Sequence, residues 1–450
     1  MKLFFYQALS SLTGLLGWPF FYYHLRSRGG GESFLPRLGL KPPPDPLPGS
    51  PRVWVHGVSV GEILAAVPLA AELRAFLPQA SLIISTGTET GQAVARQHFS
   101  PLKARVCYFP LDVPWAVSRA LSVINPDIFV ALESEVWPNF LSAAKHRGVS
   151  LALMNARLSD RSFRRYTRYK KYLFEIINLF DVIAAGSRQD YQRLAALGLA
   201  PPKLSFTGNL KVDALLGRRG LKNFSPPPPL PPAGPGSRPA SSRNPYFLKA
   251  CLALQGEPVL LAASTHPGEE EEVLAAYQAL RGPYPTLVLI LAPRHPERAA
   301  AVGELLSRRG LGFQRWQALK NGSELRQQPV VLVDTVGDLF SLYAAADVAF
   351  VGGSLVPHGG QNILEPAVWG LSPLYGPHFE NFRWAEEMLR EAGVGTVVQD
   401  ASTLAAAARH LLEDPGERCR LGEAALAALS PHQGAARRQA ALVADLVKVL

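Results

Sequence analysis

Two short stretches of this chain place acids directly behind apolar runs, where a carboxylate can take a proton from a hydroxyl. The first is His56-Gly-Val-Ser-Val-Gly-Glu62, which follows Val53–Val55. Gly61 permits a tight strand-to-helix turn, and Glu62 opens the helix, where the dipole favours an ionised carboxylate. The alternative is a first-turn glutamate that only complements that dipole. The second is Glu133-Ser-Glu135-Val-Trp-Pro-Asn139, after Ile128–Leu132. Residues i and i+2 share a face in an extended strand, so Glu133 and Glu135 are expected to point the same way. The alternative is a pair of solvated loop charges.

Other strand-end loops suit anion binding. Thr207-Gly-Asn-Leu-Lys211 ends in a lysine able to neutralise a phosphate or carboxylate, although a surface lysine needs no such role. Ser264-Thr-His-Pro-Gly-Glu269 reads as a capped helix start with hydroxyls for phosphate. Pro293-Arg294 offers a guanidinium for bidentate contact, and Val336-Gly337-Asp338 is a further loop at the same edge. Between Asp347–Val351 and a helix beginning near Asn362 lies Gly-Gly-Ser-Leu-Val-Pro-His-Gly-Gly-Gln-Asn-Ile-Leu-Glu-Pro, residues 352–366. Its four glycines let backbone N–H groups approach a phosphate. Glu365, behind Asn362, Ile363 and Leu364, can accept from ribose hydroxyls, or merely complement the helix dipole. No cluster has metal-ligand spacing, no DxD pair is present, and GxxxxGK[ST] is absent.

Such loops need strands and helices to hold them. Apolar runs at 53–55, 81–85, 105–109, 128–132, 151–154, 182–185 and 204–207 alternate with helical patterns such as 62–76, 90–98 and 169–179. The alternation resumes at 259–263, 286–292, 312–316, 330–334, 348–352 and 371–375. This pattern implies an α/β protein with two parallel-sheet domains, whose ligands bind beyond the carboxyl ends of the strands. Two such domains facing each other would form a cleft. The expected layout is an anchor at 1–25, a proline-rich spacer at 26–51 and an acceptor domain at 52–217. A proline-rich linker or insertion at 218–245, a nucleotide-sugar domain at 246–433 and a docking helix at 434–450 complete it.

Composition narrows the partners. The chain has 450 residues, 48% of them hydrophobic, and a formal net charge of +10, which favours acidic partners. Three widely spaced cysteines argue against a disulfide framework or zinc site. Residues 3–23 carry no charge and basic residues follow, so a single N-terminal membrane helix with the body in the cytoplasm is expected. A helix lying in the interface is the variant of that reading, and a signal peptide fits less well. Arg157–Lys171 holds seven basic residues interleaved with Phe163, Tyr166 and Tyr169; beside an anchor they suit an anionic membrane surface better than nucleic acid.

Taken together, these motifs resemble the 3-deoxy-D-manno-octulosonic acid (Kdo) transferases of lipopolysaccharide synthesis, which have the GT-B architecture of two Rossmann-like domains. The match is collinear: His56-x-x-Ser59-Val-Gly-Glu62, Glu133-x-Glu135-x-Trp137-Pro-Asn139, Asn155-Ala-Arg157-Leu-Ser159, Thr207-Gly-x-Leu-Lys211, Ser264-Thr-His266, Pro293-Arg-His-Pro-Glu-Arg298, and Phe350-Val-Gly-Gly-Ser-Leu355 with Asn362-x-Leu-Glu365. The resemblance implies an inverting transfer of Kdo from CMP-Kdo to a lipid A precursor, lipid IVA, at the cytoplasmic face of the inner membrane, without metal or cofactor. By position it puts the general base at Glu62 and transition-state stabilisers at Glu133 and Lys211. It puts CMP contacts at Pro293, Arg294, Val336, Gly337, Asp338, Asn362, Ile363, Leu364 and Glu365. The family usually has Met-Gly-Glu where this chain has Val336-Gly-Asp338, and the proline-rich stretch 224–242 is longer than the family pattern. Competing readings are a UDP-sugar transferase or epimerase of the same fold, and a basic lipid- or nucleic-acid-binding protein.

Overall fold

The computed structural model describes residues 2–27, 31–41, 48–168, 170–220 and 251–447. The proline-rich stretch 224–242 and Tyr169 lie outside these.

Seven runs of the first half form one sheet: β1 (Arg52–Gly57), β2 (Ser81–Thr86), β3 (Arg105–Tyr108), β4 (Ile128–Leu132), β5 (Ser150–Ala156), β6 (Val182–Ala185) and β7 (Leu204–Phe206). All neighbours are parallel, in the order β3-β2-β1-β4-β5-β6-β7. The central strands carry apolar side chains on both faces because helices cover both, and Val53, Val55, Ile128, Val130 and Ala152 are buried. A second seven-stranded parallel sheet holds β8 (Val259–Thr265), β9 (Val288–Pro293), β10 (Phe313–Arg315), β11 (Val330–Leu332), β12 (Val348–Val351), β13 (Pro373–Tyr375) and β14 (Thr396–Val397). Its order is β10-β11-β9-β8-β12-β13-β14. The expected strand positions recur within a few residues. The exception is β14, whose two exposed residues carry no apolar run to announce it.

Strand order reverses between β1 and β4 in the first sheet and between β8 and β12 in the second. Loops leaving the carboxyl ends of strands on either side of such a reversal diverge and open a crevice. Glu62 and Glu133 leave β1 and β4; His266 and the glycine-rich loop leave β8 and β12. Both sets of candidate groups therefore sit at the reversal point of their own sheet.

The chain forms two compact units, Met1–Ala214 with His432–Leu450, and Leu215–Pro431. The last helix, Ala435–Val447, packs its Ala436, Ala440 and Val443 into the core of the first unit. Asp213 caps that helix: its carboxylate accepts from Gly434 N–H and Ala436 N–H, both at 2.8 Å.

Lys2–Ser27 forms one helix, but among the described residues no helix is long and apolar enough to cross a membrane. One face of this helix is bound to the first unit. Tyr6 donates to Asp112 (3.0 Å), Asn139 donates to Ser10 (2.9 Å), and a β-carbon on Gly14 would lie 2.9 Å from the Trp115 ring. Phe5, Leu9, Leu12, Leu16, Phe20 and Tyr23, at spacings of three and four, stay exposed on another face. The helix is thus held along the body on one side and apolar on the other.

Candidate functional site

On the first unit, Ser59 caps the Val60–Phe76 helix, its hydroxyl oxygen accepting from Glu62 N–H at 3.2 Å. The same hydroxyl donates to Glu62 Oε1 at 2.8 Å, and Val58 N–H donates to Oε2 at 2.8 Å. These bonds fix the carboxylate facing back toward β1. Gly57, not Gly61, makes room for it. A β-carbon on Gly57 would sit 3.1 Å from Glu62 Cβ and 3.2 Å from Leu132, whereas one on Gly61 meets nothing closer than 3.8 Å.

The Glu62 carboxyl is held above the ordinary carboxylate range, by burial first and by the neighbouring Glu133 charge second. The bonds from Val58 and Ser59 and the charge of Lys211 oppose the shift without cancelling it. Burial and the Glu133 charge thus act on this carboxyl against the helix dipole. A base whose pKa lies closer to the working pH is the more effective one.

Glu133 and Glu135 do not share a strand face. Glu133 stands at φ 56° immediately after β4, and the chain turns before Glu135. The two acids serve different neighbours. Glu133 Oε1 lies 2.5 Å from Lys211 Nζ and accepts from Asn155 Nδ2 at 3.5 Å. Glu135 accepts from the Trp137 indole at 2.9 Å, and burial first, then the Glu62 charge, pushes its carboxyl up to about 7. His56 Nε2 lies 3.8 Å from Glu135 Oε2. Burial drives the His56 pKa down to about 3, so His56 is neutral and this is no ion pair. Its ring stacks on Phe109 at 3.8 Å between centroids, while Nδ1 lies 3.1 Å from Ser85 O.

Two supports of this cluster were given no role by the sequence: Asn155, which appears there only as part of a family motif, and the end of the chain around His432 and Gln439. Asn155, itself at φ 53°, reaches Glu133 with its amide nitrogen and accepts from Leu210 N–H through Oδ1 at 3.0 Å. One side chain thereby ties the Glu133 turn to the start of the Lys211 helix. His432, 221 positions beyond Lys211, receives Asn209 N–H at 3.0 Å, and Gln439 donates to Thr207 and to the Gly208 carbonyl. The end of the chain braces the loop that aims Lys211.

On the second unit, the glycine-rich loop is built differently from its sequence expectation. Its N–H groups already have an anion. Glu269, fully buried, accepts from His266, Gly353, Ser354 and Leu355 N–H at 2.7–2.9 Å. A β-carbon on Gly352 would fall 2.8 Å from that carboxylate and 2.7 Å from Ser264 O, so glycine is required there by the chain's own acid. Thr265, offered as a phosphate hydroxyl, donates instead to Glu270 at 3.0 Å, and Gly268 leaves the following helix without a side-chain cap.

Asp338 is likewise occupied. It accepts from Thr335 (2.6 Å), Lys320 (2.8 Å) and the Trp316 indole (3.2 Å), and these hold its carboxyl below the usual range despite burial. What remains open in that loop is its backbone. Val336 is 87% exposed and Gly337 has φ 91°. With Arg218, Phe340, Ser341 and Trp369 they line a cavity of about 210 Å³. Phe340 and Trp369 face each other at 5.7 Å, and the Arg218 guanidinium lies 4.1 Å over the Phe340 ring.

Glu365, in the first turn of Leu364–Val368, has its carboxyl raised by burial and drawn back down by Arg218, Asn362 and Arg294. Asn362 Oδ1 caps Leu364 N–H at 3.2 Å, and Ile363 and Leu364 are buried. Pro293 ends β9, and the Arg294 side chain is exposed. Arg218 was not foreseen; nothing local in Leu-Gly-Arg-Arg marks it. Among the described residues no group of three His, Cys, Asp or Glu side chains is placed to hold a metal ion.

Two parallel sheets with strand-end sites define a GT-B-like class, and solved structures agree on the fold. A putative UDP-N-acetylglucosamine 2-epimerase from Listeria monocytogenes aligns with a TM-score of 0.58 at 14% identity, covering 89% of this chain and 97% of that one. A glycosyltransferase from Rickettsia africae aligns at 0.55 and 15%, covering 88% and 98%.

Sequence relatives are narrower. Residues 32–214 match the family model described as 3-deoxy-D-manno-octulosonic-acid transferase (kdotransferase). The 3-deoxy-D-manno-octulosonic acid transferase of Haemophilus influenzae is 35% identical over 88% of this chain and 86% of its own length. That of Bordetella pertussis is 34% identical over 96% of each. The chain belongs to the 3-deoxy-D-manno-octulosonic acid transferase family and is a glycosyltransferase.

Proposed function

We propose that the protein transfers Kdo from CMP-Kdo to a lipid A precursor, lipid IVA, with Glu62 as general base. The observation that carries this is the state of Glu62: half-exposed, fixed by Ser59 and Val58, and raised in pKa at the reversal point of its sheet. Glu62 takes the proton of the acceptor hydroxyl as its oxygen attacks the anomeric carbon, and CMP departs from the opposite face, inverting that carbon. CMP is a stable leaving group as an anion, so the step needs positive charge near the phosphate rather than a proton donor. Arg294, exposed at the end of β9, suits that role better than the loop N–H groups held by Glu269. Lys211 acts with Glu133: the 2.5 Å pair holds a positive charge beside Glu62 and restrains the rise of its pKa.

The nucleotide reading for the second unit draws on the exposed Val336-Gly337 backbone, the aromatic-lined cavity and Glu365 flanked by Arg218 and Asn362. No metal is required in this scheme. The exposed apolar face of the Lys2–Ser27 helix suits a position within the interface of the inner membrane, at its cytoplasmic face, rather than across it. Thermal unfolding with CMP and with UDP tests the donor. CMP should protect at lower concentration than UDP; the reverse order would favour the UDP-sugar enzymes that share the fold.

A further inference from the structure

Three loops of the second unit bring histidines together at the carboxyl ends of adjacent strands: His266 after β8, His295 after β9 and His358 in the glycine-rich loop after β12. His266 stacks on His358, with centroids 4.4 Å apart and planes at 24°, and meets His295 edge-on at 6.1 Å. Gln361 Nε2 lies 3.4 Å from His266 Nε2. The glycines of this loop shape the arrangement. Gly353 at φ 67° leaves room for His266 and Gln361, and Gly359 and Gly360 leave none for a side chain against Asn381 and Phe379.

Burial first, then His358, and more weakly His295 and Arg294 disfavour protonation of His266, while Glu269 opposes them. Glu269 is saturated by four N–H donors, and Glu297 lies 3.6 Å from His295 Nδ1 at an exposed position. The loop amides at 353–355 are unavailable, so an anion arriving here meets Arg294 and imidazoles.

The donor proposed above has an unusual demand, and the inference rests on that reading. In a nucleotide-linked 2-ulosonic acid the anomeric carbon bears both the phosphate oxygen and the sugar's carboxylate. Two negative charges enter within a few ångströms of each other, and one guanidinium matches only one of them. Two permanent cations would repel each other in the empty site. A histidine beside an arginine provides the second charge only when the dianion has entered. We propose that His266 and His358, beside Arg294, form the subsite that binds the carboxylate of the donor sugar, making them specificity residues for a carboxylated donor.

The test compares His266→Asn and His358→Gln with the wild type. His358 is exposed, so its variant tests the idea without threatening the fold. The donor KM should rise about tenfold in each, with kcat little changed and CMP affinity by calorimetry within about twofold of wild type. In the wild type the donor KM should rise with pH as the His266 imidazole loses the ability to charge, and His266→Asn should flatten that dependence. A purely structural stack would not change the pH dependence. Equal losses for CMP and donor would assign the cluster to the phosphate, and unchanged donor KM in both variants would remove it from binding; either overturns the proposal. Failure of wild-type protein to bind CMP at all would overturn the donor reading itself, and this inference with it.

Discussion

Glu62 and Glu269 occupy corresponding places in the two halves of the chain. Each lies in the first turn of the helix that follows the strand bordering its sheet's reversal point. Each accepts a backbone N–H from the loop just before the helix. They differ in how full they are. A carboxylate offers about four acceptor positions. Glu269 uses them on four N–H groups and is fully buried, so it organises the glycine-rich loop and has no capacity left for a substrate. Glu62 accepts one N–H and one hydroxyl, is half-exposed, and has an acid and a lysine as neighbours that tune its proton affinity. The same local sequence logic, an acid opening a helix behind a strand, thus yields a structural anion in one half and a candidate base in the other. Saturation decides which.

The sharpest way to break this comparison is to replace each acid by its amide. Glu62→Gln should lower the transfer rate by about 10²–10⁴-fold with little change in melting temperature. Glu269→Gln should cost at least about 3 kcal/mol of stability, since it replaces a charge that receives four bonds; urea unfolding reads this directly. If Glu269→Gln left stability unchanged, the loop would not depend on its internal anion.

The pH dependence sharpens the contrast further. As the proposed base Glu62 acts unprotonated, and its pKa is raised, so kcat/KM should fall as pH drops through a value above the ordinary carboxylate range. Glu133→Gln removes a neighbouring negative charge and frees Lys211, both of which favour the ionised Glu62. The acid limb should therefore move to lower pH, and a shift to higher pH would contradict the assigned neighbours. The smallest expected effect is at the brace: Asp213→Asn weakens the cap on Ala435–Val447 by about 1 kcal/mol and lowers activity only modestly.

Much of this was legible because it is local. Apolar runs such as Ile128–Leu132 and Val348–Val351 must be strands covered on both faces, and polar groups just behind them must lie at strand ends. Hence Glu62, Glu133 and Lys211 could be placed at strand ends, their roles coming from the family resemblance, and the structure brings them together. What was not legible depends on partners distant in the chain. Nothing in Gly352–Leu355 shows that Glu269 fills its amides, nothing in Val336-Gly-Asp338 shows that Lys320 and Trp316 occupy the acid, and nothing at Lys211 points to His432. The left-handed turn at Glu133 also defeated the two-residue alternation applied to Glu135. The Lys2–Ser27 helix has the uncharged length of an anchor, yet its binding to Asp112 and Asn139 shows one face committed to the body.

The central claim is the proposed transfer of Kdo with Glu62 as its base. Mass spectrometry of the lipid product formed by the purified protein from CMP-Kdo and lipid IVA tests it most directly. The expected result is lipid carrying added Kdo with the wild type and almost none with Glu62→Gln. Unmodified lipid from the wild type, or full product from the Glu62 variant, would contradict it.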